Sequence, residues 1–217
     1  MPPRLPDWLR QSVLEIIKPP TFYRIQHTKT ESILIQRFHN NEKLDNARRL
    51  LERAMPTYLP KYMLNILDLG PGAVIMHPRA IRIDVHSGRW GSVDGTSYDA
   101  FPDFVWECRT LPFLNETIDV IFSSHLLEHF WDHERVAILK DWTRVLRSGG
   151  RMCHIFPEHP YAGGTSELSL KGTWEHKSCL TEAKVLADVA QVSDLEILEH
   201  GWSTLEWDKY IIAEKTE

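Results

Sequence analysis

A short apolar run that ends in two closely spaced glycines is the feature that most restricts the fold of this chain. The run Leu64–Leu69 has the length and composition of a buried strand, and Gly70, Pro71 and Gly72 follow it directly. Glycines at this position favour a tight turn in which backbone N–H groups can approach a ligand. Asp84 ends the next apolar run, where a carboxylate can accept hydrogen bonds from the two hydroxyls of a ribose. The alternative is that the glycines only form a turn and that Asp84 only caps a loop.

Strand and helix patterns alternate along the rest of the chain. The clearest helix, Asp132–Leu146, carries its apolar residues on one face and precedes Gly149 and Gly150. This alternation predicts an α/β fold in which a mostly parallel sheet has helices on both faces and binds ligands at the carboxyl ends of its strands. The last two strands are close enough in sequence to pair as an antiparallel hairpin. The predicted strands are 64–69, 80–84, 104–107, 118–123, 151–156, 195–198 and 210–213, and the other main helices are 42–55 and 181–189.

The sequence pattern changes near residue 62. Before it, two helical patterns, one capped by Asp7 and one over 42–55, are each closed by prolines. We therefore expect residues 1–61 to form a helical N-terminal extension that acts as a lid, and residues 62–217 to form the α/β domain. The same N-terminal helices are the candidate contact of a homodimer.

Composition excludes several classes of protein. The 217 residues include 25 Lys and Arg against 30 Asp and Glu, giving a net charge of −5 without a clustered basic patch, so a nucleic-acid partner is not expected. No run approaches the ~20 apolar residues that span a bilayer, and the N-terminus lacks the apolar run of a signal peptide, so no membrane association is expected. Three widely spaced cysteines favour a reducing compartment, which we take to be the cytoplasm.

A long motif in the second half of the chain resembles a known family. The stretch Leu111–Phe130 reads LPFLNETIDVIFSSHLLEHF, and the helix after it closes in Arg144–Gly150, RVLRSGG. This combination resembles the class I S-adenosylmethionine-dependent methyltransferases, specifically their small type 11 group, and the likeness is close over residues 64–157. The resemblance implies a Rossmann-like, seven-stranded methyltransferase sheet and S-adenosyl-L-methionine as the cofactor.

The resemblance also implies a role for each residue that matches the family pattern. Asp68, Gly70 and Gly72 would wrap the methionine end of the cofactor, and Asp84 would bind its ribose. The remaining cofactor-binding positions are Glu107 at the adenine amino group, Cys108 with its backbone N–H at the adenine ring, and Ser123 and Ser124 beside the sulfonium.

Two departures from the family pattern fall in the first motif. Val74 stands where the third glycine is usual, and Pro71 stands between the other two glycines. The sixteen-residue step from Asp68 to Asp84 is also short for a complete helix between the two strands.

Histidines cluster after the strand that carries Ser123. His125, Glu128, His129 and His133 have the spacing i, i+3, i+4, i+8, which places them on one helical face if the helix begins early. His125 or His129 is a candidate general base, with Glu128 orienting it. A metal site and a purely structural role at the start of the helix are the alternatives. We assign no metal ligand from the sequence.

The loop 158–177 is the candidate wall of the acceptor pocket, with Tyr161, Trp174 and His176 as substrate residues. We expect methyl transfer to an oxygen or nitrogen atom of a small molecule, or of a sugar or glycan. Three other functions remain open: a non-catalytic partner protein with a methyltransferase fold, a metal-dependent enzyme on the same fold, and a nucleotide-binding oxidoreductase. The spacing of the two glycines disfavours the last of these.

Overall fold

The structure of the protein, a computed structural model, describes residues 42–72, 74–91, 97–158, 176–203 and 208–217. The predicted helix after Asp7 and the candidate substrate residues Tyr161 and Trp174 lie outside these ranges. Within them, the helices are α1 (Glu42–Ala54), α2 (Asp132–Val145) and α3 (Glu182–Val189), with 3-10 turns at Lys61–Met63 and Leu127–His129. The strands are β1 (Ile66–Leu69), β2 (Ile81–Asp84), β3 (Gly88–Gly91), β4 (Ser97–Ala100), β5 (Phe104–Val105), β6 (Ile118–Ser124), β7 (Leu146–Pro157), β8 (Leu195–Trp202) and β9 (Asp208–Lys215).

Seven of these strands form one sheet in the order β5-β2-β1-β6-β7-β9-β8. The first five strands in this order are parallel, whereas β9 pairs antiparallel with both β7 and β8. The prediction of a seven-stranded, mostly parallel sheet with a C-terminal antiparallel hairpin is therefore confirmed. Strand order reverses between β1 and β6, and in such sheets the carboxyl ends of the strands at this point border the ligand crevice.

Helices cover both faces of the sheet, as the alternating pattern predicts. On one face of the sheet, apolar side chains of β1, β6, β7 and β9 form a cluster with residues of α1. The α1 residues in this cluster include Ala47, Leu50, Leu51 and Ala54. The other face packs against α2 and α3, where the indole of Trp142 is completely buried. Because α1 packs into this core, the predicted lid within residues 1–61 would be formed by the part of the chain before α1. The domain boundary at residue 61 stays a prediction.

Local hydrogen bonds set where the helices begin. Glu134 accepts a hydrogen bond from the backbone N–H of Trp131 at 3.1 Å, and this contact starts α2 at Asp132. Thr181 caps α3 by accepting a hydrogen bond from the N–H of Lys184 at 3.2 Å.

The connection from β1 to β2 contains no helix in its described residues, 70–72 and 74–80. This agrees with the short spacing between Asp68 and Asp84. Val74 instead packs against the apolar cluster beneath α1. After β2, the chain forms the antiparallel hairpin of β3 and β4, which the sequence pattern did not predict.

Candidate functional site

The glycine turn after β1 lies against the carboxyl end of β2. Gly70 and Gly72 both have left-handed backbone conformations, with φ of 64° and 55°. The Gly70 N–H donates to the carbonyl of Ile83 at 2.8 Å, and the Gly72 N–H donates to Oδ2 of Asp84 at 3.3 Å. The structure thus brings together the predicted glycine motif and the predicted ribose carboxylate at one edge of the sheet.

Backbone N–H groups hold the Asp84 carboxylate in place. Its Oδ1 accepts a hydrogen bond from the N–H of His86 at 2.9 Å, while Oδ2 faces Gly72. Burial raises the pKa of Asp84, and the backbone hydrogen bonds from His86 and Gly72 act against this rise. A carboxylate has about four lone-pair sites, so the two backbone donors leave sites that can accept ribose hydroxyls.

Asp68 lies deeper than the turn, in the middle of β1. It is 1% exposed, and its Oδ2 has no hydrogen-bond donor among the described residues. Burial raises the pKa of Asp68 to about 8, against the attraction of Arg82. At neutral pH the protonated form of this carboxyl is therefore favoured, and it can act as a hydrogen-bond donor.

The segment after β5 runs along the end of β2. The Trp106 N–H donates to the carbonyl of Asp84 at 2.9 Å, which places Glu107 and Cys108 beside the ribose candidate. Glu107 is exposed, with Oε1 3.1 Å from Nη1 of Arg109. The thiol of Cys108 is buried, and burial raises its pKa, which disfavours a nucleophilic thiolate.

The two serines at the end of β6 have different environments. Ser123 is fully buried, and its hydroxyl lies 2.8 Å from Nδ1 of His154. Burial lowers the pKa of His154 to about 3, so its imidazole is neutral at physiological pH. Ser124 is partly exposed. Of the two predicted neighbours of the sulfonium, Ser124 is thus the one that reaches the edge of the sheet.

His125 follows β6 and contacts two buried carboxylates. Its Nδ1 lies 3.3 Å from Oε1 of Glu128, and its Nε2 lies 3.2 Å from Oδ1 of Asp208. His125 also has a left-handed backbone, with φ of 55°, which is uncommon for a residue other than glycine. A neutral imidazole can donate to only one of two carboxylates, whereas its protonated form donates to both. This geometry suits His125 to holding the two carboxylates in place more than to acting as a general base that takes a proton from the substrate.

The prediction that His125, Glu128, His129 and His133 share one helical face is wrong. Leu127–His129 is a 3-10 turn, and α2 begins only at Asp132. Because Phe130 and Trp131 have extended backbones between the two, Glu128 and His129 do not start the helix either. His133 is exposed in the first turn of α2, apart from the cluster.

A second cluster forms where the 3-10 turn meets the segment before α3. The N–H groups of Lys177 and Ser178 donate to the carbonyl of Glu128 at 2.8 and 3.2 Å. This contact brings His176 to His129, with ring centroids 5.0 Å apart and nearly perpendicular planes. Burial opposes ionisation of Glu128, but its contact with His125 and the positive charges of His125, His129 and His176 hold its pKa below the ordinary value.

Sequence reasoning missed Asp208, which joins this cluster from the first position of β9. It is buried and lies 83 residues from its partner His125. No local pattern marks such a residue, because only the antiparallel pairing of β9 with β7 brings it to the site. His176 was predicted to be a substrate residue, and the structure places it against His129 and Glu128.

Comparison with known proteins gives a family match and a fold match. The sequence profile of a methyltransferase-domain family matches residues 97–154. No curated protein sequence matches the chain significantly. In the described ranges, no helix has the length and apolar character needed to cross a membrane.

Several solved structures with a similar fold are described as methyltransferases. A candidate methyltransferase, solved with the Trm112 methyltransferase activator of Haloferax volcanii, is 13% identical, with a TM-score of 0.60 over 89% of this chain and 100% of that one. A candidate methyltransferase from Bacillus halodurans is 12% identical, with a TM-score of 0.55 over 80% and 100%. Geranyl diphosphate C-methyltransferase from Streptomyces coelicolor, solved with Mg²⁺, geranyl diphosphate and S-adenosyl-L-homocysteine, is 14% identical, with a TM-score of 0.56 over 93% and 90%. At these identities the likeness establishes the fold.

Proposed function

We propose that this chain, which shares the fold of solved methyltransferases and matches a methyltransferase-domain family over residues 97–154, transfers a methyl group from S-adenosylmethionine to an oxygen or nitrogen atom of a small molecule or glycan. The observation that carries the proposal is the contact between the glycine turn and Asp84, beside the point between β1 and β6 where strand order reverses. A dinucleotide site also uses a glycine turn and an acidic residue. The family match over residues 97–154 favours the methyltransferase.

The cofactor is proposed to lie along the carboxyl ends of β2, β1 and β6. The ribose hydroxyls would bind Asp84, and the methionine end would lie over Gly70 and Gly72. The adenine would lie beside Glu107 and the N–H of Cys108. This arrangement points the sulfonium toward Ser124 and the histidine cluster.

The reaction needs orientation and a destination for one proton. A lone pair on the acceptor oxygen or nitrogen attacks the methyl carbon, the carbon–sulfur bond breaks, and its electron pair stays on sulfur, giving S-adenosylhomocysteine. Alignment of the two reactants at about 3–3.5 Å supplies much of the acceleration. The acceptor's proton is then taken by a base, for which His129 is our candidate; Glu128 and His125 would position it.

The cellular compartment of the protein and its binding partners are also parts of this proposal. The chain has three widely spaced cysteines and no CxxC pair, which supports a reducing compartment such as the cytoplasm. We retain the proposals that the chain binds neither nucleic acid nor membranes and that its N-terminal helices form a homodimer contact.

Calorimetry with S-adenosylmethionine, S-adenosylhomocysteine and NAD⁺ tests the cofactor assignment. We expect the two adenosyl ligands to bind and NAD⁺ not to bind. Asp84→Ala should weaken S-adenosylmethionine by ~1.5–3 kcal/mol, about 10- to 150-fold, because a charged acceptor of two hydrogen bonds is lost.

Asp103→Ala is the matched control for this test. Asp103 is a nearby buried carboxylate, but it bonds Arg82, with Oδ2 3.2 Å from Nε. Its loss should leave the affinity within about threefold. Failure of the unmodified chain to bind either adenosyl ligand would instead favour the non-catalytic partner protein, an alternative supported by Val74 and the short first connection.

A further inference from the structure

We propose that Glu128, His129 and His176 bind one divalent transition-metal ion, with Zn²⁺ as the best match to the ligand set. One ligand atom from each of the three side chains lies within 4.8 Å of the others. Two ligands come from the 3-10 turn after β6, and the third comes from the segment before α3. The inference goes beyond methyl transfer and does not depend on it.

The Glu128 carboxylate is the strongest argument for a cation here. The residue is completely buried, and neither of its oxygens has a well-aligned hydrogen-bond donor among the described residues. Two imidazole nitrogens, which form ion pairs with it when protonated, lie nearby: Nδ1 of His125 at 3.3 Å and Nε2 of His176 at 3.9 Å. A buried carboxylate is costly unless it is paired and hydrogen-bonded or coordinates a metal. An ion between Glu128 and the two imidazoles would supply the missing interaction.

The backbone around the three ligands is already in place. Two hydrogen bonds join Lys177 and Ser178 to the carbonyl of Glu128, so the two segments cannot separate freely. The Ser178 hydroxyl in turn accepts a hydrogen bond from the buried guanidinium of Arg135 at 2.9 Å. His125 fixes the other side of Glu128 through its contact with Asp208. Such outer contacts orient metal ligands and raise the affinity of a site.

The ligand types select the class of ion. Two imidazoles and one carboxylate are a zinc set that leaves a fourth position open, and they also suit other transition metals such as Mn²⁺ and Fe²⁺. Mg²⁺ prefers oxygen ligands and retains its water, so it should bind poorly. Bonds of about 2.1 Å in tetrahedral geometry place ligand atoms about 3.4 Å apart. Side-chain rotations that shorten the present separations, which are at most 4.8 Å, by up to about 1.4 Å would satisfy this requirement.

Metal binding would also change the role of His129 in the proposed reaction. A nitrogen bound to a metal has no lone pair left to accept a proton, so His129 would act as a ligand and the acceptor's proton would need another destination. Metal titration therefore separates the two roles of this residue.

The test is a zinc titration of the chain purified without a histidine tag and freed of metal by a chelator. We expect one Zn²⁺ per chain by calorimetry, weaker Mn²⁺ and no measurable Mg²⁺ binding. Glu128→Gln and His176→Ala should each lower the zinc affinity at least 100-fold. Thermal unfolding should shift to higher temperature with Zn²⁺ only when both residues are intact.

His133→Ala is the control, since His133 is an exposed histidine four residues from His129. It should bind zinc like the unmodified chain. Circular dichroism of each variant separates a lost site from a lost fold, and Glu128→Gln preserves the volume of the side chain. Zinc binding that persists in both Glu128→Gln and His176→Ala, or no stoichiometric zinc in the unmodified chain, overturns the proposal. S-adenosylmethionine binding by the metal-free chain, measured in parallel, reports on the proposed function separately.

Discussion

The two glycines after β1 have the same backbone conformation but different surroundings. A Cβ atom at Gly70 would lie 3.1 Å from Cδ1 of Leu126, whereas a Cβ atom at Gly72 would meet nothing within 4 Å. The space beside Gly72 is therefore open at the point where its N–H reaches Asp84. A side chain there strains only the backbone of the free protein and obstructs only a ligand that approaches the turn.

Gly72→Ala should separate these two effects at the level of a single residue. A left-handed conformation costs a non-glycine residue about 1–2 kcal/mol, so the free energy of unfolding in denaturant should fall by that amount. The affinity for S-adenosylmethionine, measured by calorimetry, should also fall, at least tenfold. The reason is that the added methyl group would occupy space that the cofactor needs beside the turn.

Gly149→Ala provides the matched comparison. Gly149 has φ of 72°, and its added Cβ would make an ordinary contact with Tyr58 at 3.4 Å, far from the glycine turn. It should lose similar stability and retain full affinity. Equal affinity in the Gly72 and Gly149 variants would show that no ligand approaches Gly72.

Which site residues could be predicted from the sequence depends on how far apart their contacts lie along the chain. Gly70, Gly72 and Asp84 come together within a single strand–turn–strand unit, so a local pattern was sufficient to predict that they lie close to one another. His176 and Asp208 reach the cluster through tertiary contacts. Local periodicity carries no information about such contacts.

At the scale of secondary-structure elements, Arg135 joins α2 to its neighbours. Its guanidinium, in a residue only 2% exposed, bonds Asp188 of α3 at 2.7 Å, Asp132 at 2.8 Å and Ser178 at 2.9 Å. Arg135→Met should lower the free energy of unfolding by about 3–5 kcal/mol, since Asp188 is left with an uncompensated, largely buried charge. Denaturant unfolding measures this loss.

Arg109→Met tests whether burial is the cause. Arg109 also bonds an α2 carboxylate, Glu134 at 3.3 Å, but it is 37% exposed. An exposed pair of this kind contributes about 0–1 kcal/mol. Comparable losses in the two variants would contradict the assignment of Arg135 as the connecting residue.

The elements themselves were predictable where one periodicity continued for several residues. Strands β1, β6 and β7 and helices α1, α2 and α3 have such patterns. The hairpin of β3 and β4 was missed because its strands are four residues long and one of them reads Gly-Arg-Trp-Gly, without alternating apolar residues. The turn Leu127–His129 has helical spacing in sequence, but the capping contact between Trp131 and Glu134 begins the helix later.

At the scale of the whole molecule, two buried groups give the stability opposite pH dependences. His154 has a folded pKa of about 3 against an ordinary 6.5, so the unfolded chain binds more protons between these values and stability falls as the pH falls. Asp68 has a folded pKa of about 8 against 3.8, so the folded chain binds more protons and stability falls as the pH rises. The two contributions to the free energy of unfolding oppose each other between about pH 4 and 6.5. Above pH 6.5, the contribution of His154 no longer changes with pH and only that of Asp68 does.

Of these two groups, only Asp68 contributes between pH 6.5 and 8, and comparison with an Asp68 variant separates its share from that of other titrating groups. We expect the free energy of unfolding of the metal-free and cofactor-free chain to fall there with rising pH, by at most about 1.4 kcal/mol per pH unit. Asp68→Asn, which is neutral at every pH, should remove the Asp68 part of this slope and be at least as stable as the unmodified chain at pH 8. Denaturant unfolding at half-unit pH steps measures both curves. The same slope in the two proteins would mean that Asp68 is ionised in the fold, and that the charges of Arg82, Asp84 and Asp103 around it balance differently from the geometry described above.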